Sequence, residues 1–283
     1  MNPRNIQFNF GRFNLIASYS DKAKFLEKGL RTNKFLILRE FEWGFFDIGK
    51  LSTNSNDDFL TGYLVKYKPN EVDEVVDTKK RKLLDQVLNN SVRSKARFFL
   101  HIKSGIIAYH CPANHISQKQ FKKNFSKLFE SAFDGFFVSS KINTIEEKFE
   151  IFEALKKFEI LEKIEISLHP SNPSNREIWK HLDNRFKQLS VSTYKEIYTA
   201  KPNSNGLIDV EQDNEIHSKI HMSLDGYGET IGTGQINSKR KRVSTDDVPI
   251  IMMAPNDSVP PKIVLEYLME TFKKIFDRFS NEV

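Results

Sequence analysis

"FLTGYLVKYKPNEVDEVVDTKKRKLLDQVLNNSVRSKARFFLHI", Phe59 to Ile102, decides how the N-terminal half is assembled. Its opening, 59–68, is rich in aromatic and branched residues and predicts a strand. A basic run, Lys79–Lys82, follows. Beyond it Leu83, Leu84, Val87 and Leu88 recur at spacings that place them on one side of a charged helix. "ARFFLHI" (96–102) and "GIIAYHC" (105–111) are strand-like again and flank Lys103-Ser104-Gly105, a compact hairpin. The stretch therefore reads strand, helix, strand.

Working outward, "RFNLIASYS" (12–20), "FLILREF" (35–41) and "WGFFDIGKLS" (43–52) predict further strands, with a helix-like "DKAKFLEKGLRTN" between the first two. After Pro112 helix and strand alternate. Asn114 is placed to cap a helix carrying Phe121, Phe125, Leu128, Phe129 and Phe133 inward and Lys119, Lys122, Lys123 and Lys127 outward, with Gly135 to stop it. "FFVSS" (136–140) predicts a strand. Thr144 with Glu147 forms a capping-box pattern for a helix burying Ile145, Phe149, Phe152 and Leu155. "KIEISLH" (163–169) alternates as a half-buried strand. Pro173 opens a helix with Ile178, Leu182, Phe186 and Leu189 inward, and "STYKEIYT" (192–199) is strand-like. "DVEQDNEIHSKIHMSLDG" (209–226) fits a helix or a strand; the helix is preferred because Asp209 can cap it and Gly226 can end it. Two strands around a turn at Ile236–Ser238 and a helix from Pro261 close the chain, the helix burying Val264, Leu268, Phe272, Ile275 and Phe276. The class is α+β: an antiparallel domain over 1–112, then an α/β domain over 113–283 with crossover helices and a basic hairpin at 229–245.

Composition bounds the function. The 283 residues include 24 Phe and are 39 % hydrophobic, enough for a core, so wholesale disorder is excluded. No apolar run reaches the roughly 18 residues of a membrane span, and no signal-peptide pattern opens the chain. A single cysteine, Cys111, cannot form an internal disulfide. A cytoplasmic protein without membrane insertion is expected. The net charge of +6 favours anionic partners without naming one.

Four glycines, Gly226, Gly228, Gly232 and Gly234, match neither a dinucleotide fingerprint nor a phosphate-binding P-loop, and read as hairpin glycines. Lys239, Arg240, Lys241 and Arg242 cannot all face a core, because alternate strand residues point to opposite faces. Together with Lys119, Lys122, Lys123 and Lys127, and with Lys79–Lys82, they are candidate phosphate contacts. Asp213, His217 and His221 are spaced by four, as metal ligands on a helix would be, but the Glu of an H-E-x-x-H site is missing. His110, Cys111 and His115 lie near one another in sequence; Glu146-Glu147-Lys148 and Asp246-Asp247 are acidic elements of a kind that nucleases use. None rises above what a chain with 28 % charged residues contains by chance. No catalytic residue, metal site or cofactor is expected.

At "LDGYGETIGTGQINSKRKRVSTDDVPI" the chain resembles an uncharacterised bacterial family of mobile-element and phage-defence loci. There an "NGY"-like turn after a helix leads into a basic hairpin closed by "STKDHP"-like residues. The equivalents are Asp225-Gly226-Tyr227 and Ser244 to Pro249, with Asp246 in place of the pattern's Lys and Val248 in place of its His. The likeness extends loosely from about Phe13 to Thr245 and includes "RFFLHIKSGIIAYH" and "EALKKFEILEKIEISLHPSNPSN". It supplies no established catalytic residues. A fainter similarity of layout to RexA and KwaB, phage exclusion and defence proteins, implies duplex-DNA binding by a homodimer. The expectation is a non-catalytic, sequence-independent DNA-binding protein, with DNA favoured over RNA. The alternatives are a metal-dependent nuclease or toxin, and a protein-interaction subunit binding a partner from the same locus.

Overall fold

The computed structural model describes residues 4–280 except 18–20, 54–56, 78, 80, 114, 135–137, 148–149, 172–175, 208–209 and 211. The opening stretch settles into two long strands rather than strand, helix, strand. β1 (Asn5–Ile16), α1 (Lys22–Leu30), β2 (Leu36–Leu38) and β3 (Phe41–Ser52) lead into β4 (Asp58–Asp77) and β5 (Lys82–His101). β4 and β5 pair from Phe59↔His101 out to Asp77↔Lys82. The helix expected around Leu83–Leu88 is therefore a strand. Its helical spacing is overridden because β4 offers a partner of matching length, setting Val72 opposite Val87 and Val76 opposite Leu83.

β6 (Ile106–Tyr109) continues the meander, as the Lys103–Gly105 hairpin predicted. The sheet runs β12-β1-β6-β5-β4-β3-β2, where β12 is Ile251–Pro255 near the C-terminus. β7 (Ser139–Thr144) also joins it: β1 pairs with β12 through residues 5–9 and with β7 through 11–16. One face packs on α1 and on α2 (Gln118–Ser131), with Phe121, Phe125, Leu128 and Phe129 at the centre. The other packs on α6 (Pro261–Ser280) through Val264, Leu268, Phe272 and Ile275. Sheet membership thus runs across residue 112 rather than changing there. β7, β12 and α6, distant in sequence, complete the layers that β1–β6 begin.

The second sheet, β11-β10-β8-β9, is also antiparallel. Its strands are β8 (Ile160–Leu168), β9 (Tyr194–Thr199), β10 (Gly228–Ile236) and β11 (Lys239–Ser244). α3 (Glu150–Lys156), α4 (Glu177–Gln188) and α5 (Asn214–Met222) cover one face, with Ile164, Trp179, Ile220 and Tyr227 fully buried. α5 is the crossover, carrying the chain from edge strand β9 past β8 to β10.

Several local expectations shift. Ser117, not Asn114, caps α2, in a reciprocal capping box with Gln120; Asn114 and Gly135 lie outside the described residues. The strand placed at 136–140 is Ser139–Thr144, so Thr144 ends a strand instead of starting a helix, and α3 begins at Glu150. Phe149 lies outside the described residues, as does Pro173. α4 begins at Glu177 and buries Trp179, whereas Leu189 is exposed just beyond its last turn. α5 is a helix as preferred, with Ile216 and Ile220 buried, but Asp213 caps it and it ends at Met222; Leu224, also buried, and Gly226 lie in the turn Ser223–Tyr227 that follows, and Asp209 is outside the described residues. Among the described residues no helix is long and apolar enough to cross a membrane.

Candidate nucleic-acid interface

The amphipathic pattern of α2 fixes which way its lysines point. Because its Phe and Leu side chains are locked in the core, Lys119, Lys123 and Lys127 stand exposed on the opposite face. β7 runs beside that face and adds Lys141. These side chains and Lys122, Ser126 and Asp246 line a trough of about 320 Å³. Ser140 and Lys141 also line a second cleft of about 470 Å³, between β7 and the uncovered face of the second sheet. There Lys195, Ser167, Thr193 and His169 face it. Burial pushes the His169 imidazole below its ordinary pKa, and the nearby Lys141 and Lys195 charges act in the same direction.

The acidic groups of the two clefts are engaged. Glu130 accepts from the backbone and hydroxyl of Ser140. Glu165 pairs with Lys163, and Glu196 with the buried Lys219. Asp246 takes Lys122 at 2.8 Å and the Thr144 hydroxyl at 2.8 Å. Burial alone would raise the Asp246 carboxyl, but Lys122 and Thr144 hold it below its ordinary range. Lys122 is therefore spent on a protein carboxylate. Lys119, Lys123, Lys127, Lys141 and Lys195 make no ion pair among the described residues and are exposed.

The late hairpin forms where expected, with Asn237 and Ser238 at φ 51° and 57°, the left-handed pair that a two-residue hairpin turn requires. All four cations of its run are exposed. Their surroundings divide them. Arg240 lies 3.3 Å from Glu162 on β8, and Arg242 lies 3.3 Å from Glu229 on β10 and 4.0 Å from Asp247. Glu229 lines the second cleft, so Arg242 sits at its rim. Lys239 and Lys241 alternate onto the other face, shared with Val243, which packs on the core beneath the helices. The run is thus two neutralised arginines on the cleft side and two lysines turned away from it. Asp246, just after the hairpin, physically joins it to α2.

The Asp225-Gly226-Tyr227 turn is a buried brace. The Asp225 carboxylate accepts from Arg176 at 3.0 and 3.1 Å and from the Trp179 indole at 2.8 Å. Its backbone carbonyl accepts from Arg12 of β1, whose guanidinium lies 4.3 Å from the Tyr227 ring centre. Gly226 has φ 81°, and a Cβ there would come within 2.9 Å of Arg12 and Ile145. A residue with a side chain is excluded both by conformation and by space. The brace ties the turn before β10 of the second sheet to β1 of the first. Sequence reasoning missed Lys141, Lys195 and this brace. The spacing of neither lysine distinguishes it from any other exposed strand lysine.

The other candidate groups have structural occupations. Asp213 spends its carboxylate on the α5 backbone at Glu215 and Ile216, while His217 and His221 meet edge-on and both pack at a tilt against Phe152. His110 contacts the Gln7 carbonyl, and burial pushes the Cys111 thiol up to about 12, leaving it unreactive. Glu147 lies near Arg278; Lys148 is outside the described residues. Among the described residues no three His, Cys, Asp or Glu side chains form a group that could hold a metal ion.

No curated protein matches this chain. A family model described as "Domain of unknown function (DUF4747)" matches residues 22–259, from the start of α1 to the approach to α6, and the chain belongs to that family.

Proposed function

We propose that the protein binds nucleic acid, DNA in the first instance, without catalysing a reaction on it and without reading its sequence. The supporting observation is that Lys119, Lys123, Lys127, Lys141 and Lys195 line two adjoining clefts, joined at Ser140 and Lys141, whose acidic groups are already engaged. Uncompensated lysines along a groove track a phosphate backbone, and they specify no base. The arginines of the late hairpin flank the groove and contribute less, since binding must first displace Glu162 and Glu229. The bacterial defence or mobile-element setting belongs to this proposal and rests on the sequence resemblance alone.

A binding titration across salt concentrations tests it. Five lysine contacts correspond to a log–log slope of about −4 to −5 on duplex DNA. Replacing Lys119, Lys123 and Lys127 by Ala should make that slope shallower by about 3, whereas replacing Lys239 through Arg242 should change it less. An unaltered slope in the α2 variant, or no affinity in the parent at low salt, rejects the proposal.

A further inference from the structure

β3 accompanies β4 only as far as Tyr67, and β6 accompanies β5 only from Phe98 onward. Beyond Tyr67, among the described residues, the two strands pair only with each other, out to Asp77 and Lys82. A two-stranded ribbon with no third element is marginally stable in water. This one nevertheless carries Val72, Leu83 and Val87 at 62–63 % exposure, and the register sets all three on the same face. At its root, on the opposite face of the sheet, lies an open aromatic trough of about 530 Å³. Phe35 and Phe46 stack there at 6.4 Å, each edge-on to Tyr67, and remain 49 % and 38 % exposed. Val92, 62 % exposed, extends the apolar surface toward the ribbon.

Charge indicates what covers these surfaces. The uncompensated charge at the root is acidic: Glu42 accepts only from the Tyr67 hydroxyl and Asp47 is exposed at the bulge of β3, whereas Glu40 pairs with Lys68 at 3.0 Å and the trough's Lys95 with Asp257 at 2.9 Å. The tip is basic, with Arg81 and Lys82 exposed. The chain therefore holds both halves of a complementary contact, about 30 Å apart at roughly 3.3 Å per residue, too far along one rigid ribbon to meet within a single copy. We propose that the β4–β5 ribbon is a dimerisation arm. The apolar face of one arm lies in the aromatic trough of a second copy, its basic tip reaches that copy's acidic root, and a two-fold axis makes the exchange reciprocal.

Sedimentation of the nuclease-treated full chain at micromolar concentration tests this independently of any nucleic-acid affinity. The parent should be a dimer. The double variant Leu83→Asp, Val87→Asp should be a monomer with an unchanged circular dichroism spectrum, because both side chains are exposed. Phe46→Asp should have the same effect from the trough side. With Cys111→Ser as background, Val87→Cys combined with Phe46→Cys should give an intermolecular disulfide on oxidation. A monomeric parent, a dimer that survives both sets of Asp changes, or an assembly that disappears on nuclease treatment overturns the proposal.

Discussion

Two hairpins of this chain carry four consecutive cations, Lys79–Lys82 in one and Lys239–Arg242 in the other, and their settings are opposite. The late hairpin is embedded. β10 pairs along its length with β8, so Arg240 finds Glu162 and Arg242 finds Glu229 on neighbouring strands, and the Asp225 brace holds the sheet from below. The long hairpin leaves its sheet at Tyr67 and carries Arg81, Lys82, Val72 and Val87 out into solvent. A basic run thus states that a segment is exposed. Whether its charge remains available depends on which strands lie alongside. Available charge has collected instead on α2 and β7, where the acidic neighbours are engaged by other partners.

The sharpest way to break this contrast is to remove the brace. Asp225→Ala takes from the buried Arg176 its carboxylate and from Trp179 its acceptor. Breaking a buried pair from one side costs about 3–5 kcal/mol, which chemical denaturation should register. A loss below about 1 kcal/mol would mean that the late hairpin is not anchored through this residue.

The next effect depends on pH. Glu146 sits where the chain returns from the late hairpin, bridged to Pro249, with its side chain buried. Burial first, then the charges of Glu150 and Asp247, pushes its carboxyl up to about 9 from an ordinary 4.5. The folded state therefore keeps a proton that the unfolded chain releases. Stability from this group is complete below about pH 4.5 and declines as pH rises toward 9. Glu146→Gln should remove that decline and raise stability at pH 8 by about 1–3 kcal/mol. Denaturation curves for parent and variant that keep a constant separation from pH 5 to 9 would contradict a protonated Glu146.

The smallest effect concerns the hairpin arginines. Arg242 is half exposed, so its pairing with Glu229 should show a coupling of no more than about 1 kcal/mol in a double-mutant cycle with Ala at each position. A coupling well above that would make the late hairpin a rigid ionic element rather than a solvated rim.

Much of the fold was legible locally. The Phe spacing of α2, the alternation of β8, the α5 helix, the turn at Asn237-Ser238 and the amphipathic α6 all follow from periods of 3.6 and 2 with their stop signals. The ribbon 82–89 was not legible, because its leucines and valines satisfy a helical spacing and only the length of β4 decides for a strand. Of the site, the α2 lysines were readable from the face opposite their phenylalanines. Their neighbours Lys141 and Lys195 were not, since each reaches these clefts through strands paired far away in sequence.

By itself, then, the sequence determined an α+β chain with these helices and a basic hairpin, because propensity and hydrophobic period act over a few residues. Tertiary structure alone decided which cations keep their charge available and which parts of the molecule brace each other. Those outcomes rest on contacts such as Arg12 with Asp225, 213 residues apart, and Lys122 with Asp246. Burial and charge pairing depend on distances in space that no local pattern encodes.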